Sequence, residues 1–143
     1  MSELDDFLTT TVARQAGAER ALHNGDPRLR IDMWSTRDPV TLFGAWGPCK
    51  SGWDDVRQTF RWVASRFSDC TEYSFDVVAA DVCGDMAYTV GFERSTVSTD
   101  GGPPTSQTLR VTHVYRRENG EWRIVHRHGD LAPVDQSPPT PAG

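Results

Sequence analysis

Residues 106–130, with the sequence SQTLRVTHVYRRENGEWRIVHRHGD, are predicted to form one long β-hairpin. Between Leu109 and Tyr115 the side chains alternate with a period of two, as they do in a strand. Glu118-Asn119-Gly120 supplies the turn, because Asn and Gly adopt positive φ at little cost. The alternation gives the first strand two faces: one carries Leu109, Val111, His113 and Tyr115, and the other carries Arg110, Thr112, Val114 and Arg116.

The returning strand of this hairpin is predicted to place Trp122, Ile124, His126 and His128 on a common face. An antiparallel sheet with one wet side has a face that is polar throughout. Here one face carries bulky apolar groups, and the other mixes valine with arginine and threonine. We therefore expect both faces to have a role, one in packing and one in lining a cavity or an interface.

Length and composition narrow the class of protein. The 143 residues fit one domain with its own hydrophobic core, and the net charge of −5 argues against nucleic acid or an anionic membrane as the main partner. The acidic N-terminus has no apolar signal region, and no apolar stretch approaches the roughly 20 residues of a membrane span, so we expect a cytoplasmic protein. Cys49, Cys70 and Cys83 form no CxxC pair, which argues against metal–thiolate and disulfide frameworks.

Two helical patterns open the chain. Ser2 and Asp5 can form a capping box for a helix that runs to about Asn24. Asp26-Pro27 is predicted to begin a short second helix that ends near Ser35. Its inward-facing residues are predicted to be Leu29, Met33 and Trp34.

A strand over residues 40–46 and a third helix follow. Ser51 with Asp54 is predicted to cap this helix, and its apolar residues step by three and four along one side. They are Trp53, Val56, Phe60, Val63 and Phe67. Strands over residues 72–82 and 86–98 then precede the hairpin, with a breaker-rich loop over residues 99–104.

This order of elements predicts an α+β fold, because helices are segregated from a run of antiparallel strands. A curved sheet wrapped around the helices would form a cone with an open mouth, which suits a ligand pocket. The single domain is expected to span residues 1–132. Residues 133–143, PVDQSPPTPAG, are expected to be a disordered Pro-rich tail.

The element order, with Asn24-Gly25-Asp26 at the end of the first helix, resembles the nuclear-transport-factor-two-like (cystatin-like cone) superfamily. Residues 116–133, RRENGEWRIVHRHGDLAP, are similar to the end of SnoaL-like domains of the ketosteroid-isomerase-homologue kind and of the calcium/calmodulin-dependent kinase type II association domain. The resemblance spans about residues 3–132. It implies a pocket inside the cone and homodimers formed through the outer face of the sheet. One fold hosts many functions, so it indicates the fold rather than the activity.

The chemistry of the superfamily does not transfer residue for residue. Steroid isomerases use a carboxylate base with an oxyanion hole made by a Tyr and a protonated Asp. The corresponding positions here fall on Ala18, near Leu42 and near Thr112, so that mechanism is disfavoured. The arginines that hold carboxylates in the kinase association domain correspond to positions near Val90, Thr112 and Gly129.

Two arginines on neighbouring strands are the candidate cationic groups of a pocket. A guanidinium at Arg94 or Arg110 in an apolar cavity would suit a carboxylate or an enolate oxygen. The alternative is that both are solvated at strand ends or paired with Asp or Glu. The predicted ligand-binding residues are Trp34, Trp46, Tyr88, Phe92, Arg94, Arg110 and Thr112.

The end of the last strand offers a candidate catalytic pair, because a histidine–carboxylate pair of His128 and Asp130 could act as general base. The alternative is a polar cluster at the end of the strand. His126 and His128 share a predicted face, but a metal site needs a third and usually a fourth ligand, so neither a metal nor a cofactor is predicted. Asp38, before Pro39, is most simply a turn residue.

The sequence therefore predicts a protein with a small-molecule pocket, in one of two versions. In the first, it is a cofactor-independent isomerase, cyclase or dehydratase acting on a carbonyl or polycyclic substrate, where Arg94 or Arg110 stabilises an oxyanion and His128 or Asp130 moves the proton. In the second, it is a non-catalytic ligand-binding or oligomerisation module. In both, the Leu109/Val111/His113/Tyr115 side of the hairpin is the expected dimer face, and the Arg110/Thr112/Val114 side is the expected pocket wall.

Overall fold

The computed structural model describes residues 2–139, in which four α-helices and six strands form. The helices are α1 (Glu3–Asp6), α2 (Ala13–Leu22), α3 (Arg28–Asp32) and α4 (Trp53–Arg66), and the π-helical segment Phe7–Val12 joins α1 to α2. The strands are β1 (Thr41–Phe43), β2 (Cys49–Ser51), β3 (Phe67–Cys83), β4 (Met86–Thr99), β5 (Thr105–Glu118) and β6 (Glu121–Leu131).

The six strands form one open, mixed sheet in the order β2-β1-β6-β5-β4-β3. β1 runs parallel to β6, and every other neighbouring pair is antiparallel. The core lies between the helices and the inner face of the sheet. It joins helical side chains such as Phe7, Leu22 and Phe60 to Tyr115 and Ile124 of the sheet. This arrangement confirms the predicted α+β cone.

The hairpin forms as predicted, but its two faces have the opposite roles. Asn119 and Gly120 make the turn with φ of 51° and 80°. Leu109, Val111, His113 and Tyr115 are all buried beneath the helices, whereas Arg110 is exposed and Thr112 and Val114 are only half-buried. The expected dimer face is therefore the inner wall of the cone, and the expected pocket wall lies on its outer face.

A β-bulge in β6 changes the direction of the side chains that follow it. Val114 pairs with His126, but Tyr115 pairs with Ile124, so Val125 is an extra residue in β6. Ile124 is fully buried, while His126 and His128 lie on the outer face opposite Val114 and Thr112. The predicted common face of Trp122, Ile124, His126 and His128 is wrong, because strict alternation ends at the bulge.

The first predicted helix is present as α1, the π-helical segment and α2, and the second is present as α3, which ends at Asp32 rather than near Ser35. Ser2 and Asp5 form the capping box, in which the Ser2 hydroxyl accepts from the Asp5 N–H at 3.1 Å. Met33 and Trp34 are buried as predicted, but Leu29 is 54% exposed. The neighbouring Arg30 is fully buried instead, because its guanidinium pairs with Glu19 and His113 inside the cone.

The cap of α4 differs from the prediction. Gly52 occupies the N-cap position, and the Asp38 carboxylate accepts the N–H of Trp53 at 2.9 Å. Asp38, not Ser51, therefore satisfies the start of this helix. The predicted strand over residues 40–46 is shorter: β1 ends at Phe43, and Trp46 lies in the loop that leads to β2, a strand that the sequence did not indicate.

Within residues 2–139, no helix has the length and apolar character that crossing a membrane requires. Residues 132–139 follow β6 without regular secondary structure and are exposed. The predicted disordered tail, residues 133–143, falls partly outside the described residues, since residues 140–143 are not described. The disorder of this tail stays a prediction.

Candidate functional site

A cavity of about 80 Å³ lies between α2, α4 and the inner face of the sheet. One side of it is apolar and the other is charged. The apolar wall includes Leu22, Leu42, Trp46, Phe60, Val63, Phe67 and Leu109. The polar end consists of Glu19, His23, Glu93, Gln107 and Arg127. An apolar wall with a few convergent polar groups is the usual composition of a small-molecule site.

Glu19 and His23 lie one turn apart at the end of α2, on its buried side. Nδ1 of His23 lies 2.6 Å from the carbonyl oxygen of Glu19. A carbonyl only accepts, so Nδ1 carries the proton and Nε2 is the basic nitrogen. The Glu19 carboxylate lies 3.7 Å from the same Nδ1, and the imidazole stacks on Phe67 at 4.6 Å between ring centroids. The orientation and the tautomer of His23 are therefore fixed by its neighbours.

Glu93 of β4 is buried and held by two partners. Arg127 of β6 donates from Nη1 and Nη2 to the two carboxylate oxygens at 3.2 and 3.1 Å, and Tyr73 donates its hydroxyl proton at 2.8 Å. Burial alone would raise the pKa of Glu93, but the charge of Arg127, with His23 and these hydrogen bonds, lowers it to about 2. In turn, Glu93 raises the pKa of Arg127 although burial opposes this. Both groups are therefore ionised at neutral pH.

Glu19 is held from the other side by Arg30, whose Nε contacts its carboxylate. Nη2 of Arg30 lies 2.6 Å from Nε2 of His113. Arginine only donates, so Nε2 of His113 is the acceptor and the imidazole is neutral. Burial, followed by the charges of Arg30 and Arg127, lowers the pKa of His113 well below its usual value. Arg30 thus fixes the Glu19 carboxylate beneath His23.

The same residues approach the geometry of a metal site. One ligand atom each from Glu19, His23 and Glu93 lies within 4.8 Å of the others. However, Glu19 is already paired with Arg30, and Glu93 with Arg127, so the buried charges cancel. A divalent cation would introduce positive charge without a free counter-charge, which is costly in a buried site. The arrangement fits proton transfer and polar recognition better than it fits metal binding.

The loop between β1 and β2, residues 44–48, forms a further wall of the cavity. Its tip is a tight turn in which Gly47 donates to the carbonyl of Gly44 at 2.9 Å. The Trp46 ring packs 5.0 Å from that of Phe67, and Cζ of Arg66 lies 4.0 Å from the Trp46 ring centroid. Arg66 is fixed by Asp100, to which it donates from Nη2 at 2.8 Å. Trp46 is therefore held by α4 and, through Arg66, by the β4–β5 loop.

Trp46 is the predicted binding residue that the structure places in the cavity wall. Trp34 is buried in the core, 5.3 Å from Phe60 between ring centroids. The remaining predicted residues lie on the outer face of the sheet, as strand pairings such as Tyr88 with Val114 show. They are Tyr88, Phe92, Arg94, Arg110, Thr112, His128 and Asp130.

The two predicted pocket arginines are ion-paired on that outer face. Arg94 contacts Asp76, and Arg110 donates to Asp130 at 2.7 Å, which matches the alternative that both arginines are paired with an acidic residue. Asp130 is thus engaged by Arg110, and the ring of His128 packs edge-on against Phe43 at 5.6 Å. The physical reason for the difference is that the helices cover the opposite face of β4, β5 and β6.

Four residues of the polar end, Glu19, His23, Glu93 and Arg127, were not predicted from the sequence. The i, i+4 spacing of Glu19 and His23 on a predicted helix was one available signal. Glu93 lies on the same face of β4 as Ala87 and Gly91, because odd-numbered residues of this strand share a face. This alternation indicates that Glu93 is buried only when it is known which face the helices cover.

Comparisons with known proteins agree with the architecture. The sequence profile of the SnoaL-like domain family matches residues 16–134. The F-box protein SKIP8 of Arabidopsis thaliana is 25% identical over 103 residues, which are 72% of this chain and 41% of that protein. This chain therefore spans less than half the length of that relative.

Several solved structures share the fold. A protein of the NTF2-like family from Streptomyces avermitilis, described as a candidate dehydratase, superposes with a TM-score of 0.74 at 19% identity, over 91% of this chain and 99% of that one. An NTF2-like superfamily protein from Salmonella enterica superposes with a TM-score of 0.73 at 19% identity, over 96% of this chain and 97% of that one. A candidate calcium/calmodulin-dependent protein kinase II association domain from Xanthomonas campestris superposes with a TM-score of 0.62 at 14% identity, over 92% of this chain and 88% of that one. At these identities the likeness shows the fold alone.

Proposed function

The chain belongs to the SnoaL-like domain family, and we propose that its cavity binds a small organic molecule and moves a proton on it without a cofactor. The reaction class is isomerisation, cyclisation or dehydration of a carbonyl compound. The observation that carries this proposal is the Glu19–His23 pair at the polar end of an otherwise apolar cavity. The candidate dehydratase from Streptomyces avermitilis, which has the same fold, supports the reaction class by analogy.

His23 is the proposed general base. Its Nε2 takes a proton from the carbon next to the substrate carbonyl, and the electron pair of that C–H bond moves to the carbonyl oxygen as an enolate. Isomerisation is completed when Nε2 returns the proton to a different carbon. In a dehydration, the enolate instead expels a neighbouring hydroxyl group, which leaves as water with the proton from Nε2. The Glu19 carboxylate stabilises the transient imidazolium.

Arg127 is the proposed oxyanion donor, in the role predicted from the sequence for Arg94 or Arg110. A guanidinium has five N–H donors, and Glu93 takes two of those of Arg127. Arg127 also lines the cavity beside His23. A fixed donor at this position would stabilise the enolate oxygen as its charge develops.

Hydrogen–deuterium exchange of a small ketone tests the role of His23. The wild type should speed exchange of the α-protons of 2-cyclohexen-1-one in D2O, followed by NMR, and His23→Gln should slow the enzymatic rate by about 10²-fold or more. His128→Gln, on the outer face, is the matched comparison and should retain the rate. Exchange that depends on His128 and not on His23 would contradict the proposal.

The second candidate function is a non-catalytic binding or assembly module, and the outer face of the sheet favours it. Phe43, Tyr88 and Val90 lie on this face with 41%, 43% and 37% of their surfaces exposed. Exposed apolar side chains on β1 and β4, on the same face of one sheet, suit an interaction surface. We propose that two copies of the chain pair through it, and such a dimer is compatible with either function.

A further inference from the structure

The charge and size of the cavity restrict what it can hold. We propose that it selects uncharged, planar, single-ring compounds that carry one carbonyl group, and that Trp46 sets the size limit. This proposal deepens the binding function proposed above and rests on it. It narrows the polycyclic or carbonyl substrate expected from the sequence to a monocyclic one.

The cavity is expected to exclude charged ligands because the charged side chains at its polar end are already paired with one another. Glu93 is neutralised by Arg127 through two hydrogen bonds, and Glu19 by Arg30. All four residues are at most 8% exposed. A carboxylate or an ammonium group that entered would lose its hydration and meet no uncompensated opposite charge, because Arg127 keeps free N–H donors but its charge is balanced by Glu93. A carbonyl group needs only a hydrogen-bond donor, and it would lose far less hydration free energy than a charged group does.

The restriction on size follows from the volume of the cavity. Its 80 Å³ compares with the roughly 10–15 Å³ that one water requires, so the cavity has room for about five to eight waters. An apolar cavity of about 150 Å³ holds one benzene ring, so this cavity admits at most one six-membered ring and has no room for two fused rings. Trp46, Phe60 and Phe67 supply aromatic walls against which a flat ring can stack.

Trp46 sets the limit because its ring is fixed on several sides. Arg66 stacks 4.0 Å from the ring centroid, and Trp62 meets it edge-on at 5.7 Å. Asp100 fixes Arg66 in turn through Nε at 3.1 Å and Nη2 at 2.8 Å. The ring can move outward only if the contact with Arg66 is lost. Arg66 is therefore a positioning residue for the cavity wall.

Three compounds of nearly identical shape test the restriction on charge: benzamide, benzoate and benzamidine, which are neutral, anionic and cationic at pH 7. Each is titrated into the wild type while the indole N–H signal of Trp46 is followed by NMR, with the signal assigned by its loss in Trp46→Phe. Benzamide should bind at least tenfold more tightly than either charged compound. Benzoate or benzamidine binding as tightly as benzamide would overturn the proposal.

A fused-ring compound tests the restriction on size. 2-Naphthamide should bind the wild type at least tenfold more weakly than benzamide, and Trp46→Ala, in which the ring signals of His23 report binding instead, should remove this difference. Arg66→Gln should reduce it in part, whereas Arg61→Gln, on the exposed side of the same helix, should leave it unchanged. Arg66→Gln also keeps the test available if Trp46→Ala fails to fold. The proposal would be overturned if the wild type bound 2-naphthamide as tightly as benzamide, or if neither Trp46→Ala nor Arg66→Gln bound 2-naphthamide more tightly than the wild type does.

These outcomes separate the failure of this proposal from that of the proposed function. If benzoate binds the cavity and His23 still accelerates proton exchange, the function stands and the selectivity does not. If none of the four compounds perturbs Trp46 in the wild type, and none binds Trp46→Ala, both fall.

Discussion

Individual side chains inside the cone are each held in one protonation state by a specific neighbour. Glu93 is ionised because Arg127 outweighs the effect of burial, and His113 is neutral because burial and Arg30 act in the same direction. Such groups cannot be inferred from residue type, since most Glu and Arg side chains are exposed. Arg94 and Arg110 were therefore as plausible from the sequence as any other arginine, whereas the buried arginines are Arg30 and Arg127.

The stability of the fold should fall as the pH drops below about 6.5. His113 has a folded-state pKa below its unfolded value of 6.5, so below that pH the unfolded chain binds a proton that the folded chain does not. One such group lowers the free energy of unfolding by about 1.4 kcal/mol per pH unit. The lowered pKa of His126 acts in the same direction. Glu93 lowers the free energy of unfolding further as the pH falls from 4.5 to about 2, because the unfolded chain takes up this proton first.

His113→Gln isolates the contribution of this histidine, because glutamine keeps an acceptor for Arg30 and does not titrate. Urea midpoints measured by tryptophan fluorescence between pH 7 and 5 should fall less steeply in the variant than in the wild type. Parallel slopes would contradict this account, because they would mean that His113 binds its proton equally well in the folded and the unfolded chain.

Breaking the buried ion pair should cost far more than breaking an exposed one. Glu93→Gln leaves Arg127 buried without its counter-charge, which typically costs about 3–5 kcal/mol of unfolding free energy. Asp130→Asn, which breaks the exposed pair with Arg110, should change stability little. Urea denaturation at pH 7 measures both, and equal effects would mean that Arg127 finds another partner.

The strands of the hairpin show what alternation can and cannot predict. The turn at Asn119-Gly120 and the grouping of Leu109 with Tyr115 follow from local sequence and are present in the structure. The choice of buried face does not, because both faces are mixed and only packing against the helices decides it. The bulge at Val125 could not be predicted either, and it moved His126 and His128 to the outer face.

The close approach of β3 to β4 should make a glycine on β4 irreplaceable. A methyl group at Gly91 would overlap the backbone carbonyl oxygen of Asp76, so Gly91→Ala should destabilise the fold by at least about 1–3 kcal/mol. Gly17, in α2, has no atom within 4 Å of such a methyl, and Gly17→Ala should stabilise by about 0.5–1 kcal/mol. Thermal denaturation should therefore show shifts of opposite sign, and a neutral Gly91→Ala would contradict the close spacing of the two strands.

The whole molecule is a cone whose inner and outer faces serve different purposes. The inner face holds the core and the charged end of the cavity, and the outer face carries exposed apolar groups next to ion pairs. The order of helices and strands was enough to predict this architecture. The position of the site was not, because it depends on which face the helices cover.

Pairing of two chains through the outer face should be sensitive to a charge placed at its centre. Val90→Glu should convert the dimer to a monomer in sedimentation velocity at micromolar concentration, because the carboxylate would be buried opposite its own copy. Val78→Glu is the matched control, since Val78 is 65% exposed on the edge strand β3. A wild type that sediments as a monomer would remove the dimer proposal.

The claim that the site lies at His23, inside the cone, is tested most directly by NMR of the histidine ring nitrogens. We expect His23 to show the tautomer with its proton on Nδ1, and its Nε2 signal to shift when benzamide is added, while the signals of His126 and His128 stay in place. Shifts at His128 with none at His23 would contradict the account, because they would place the site on the outer face of the sheet.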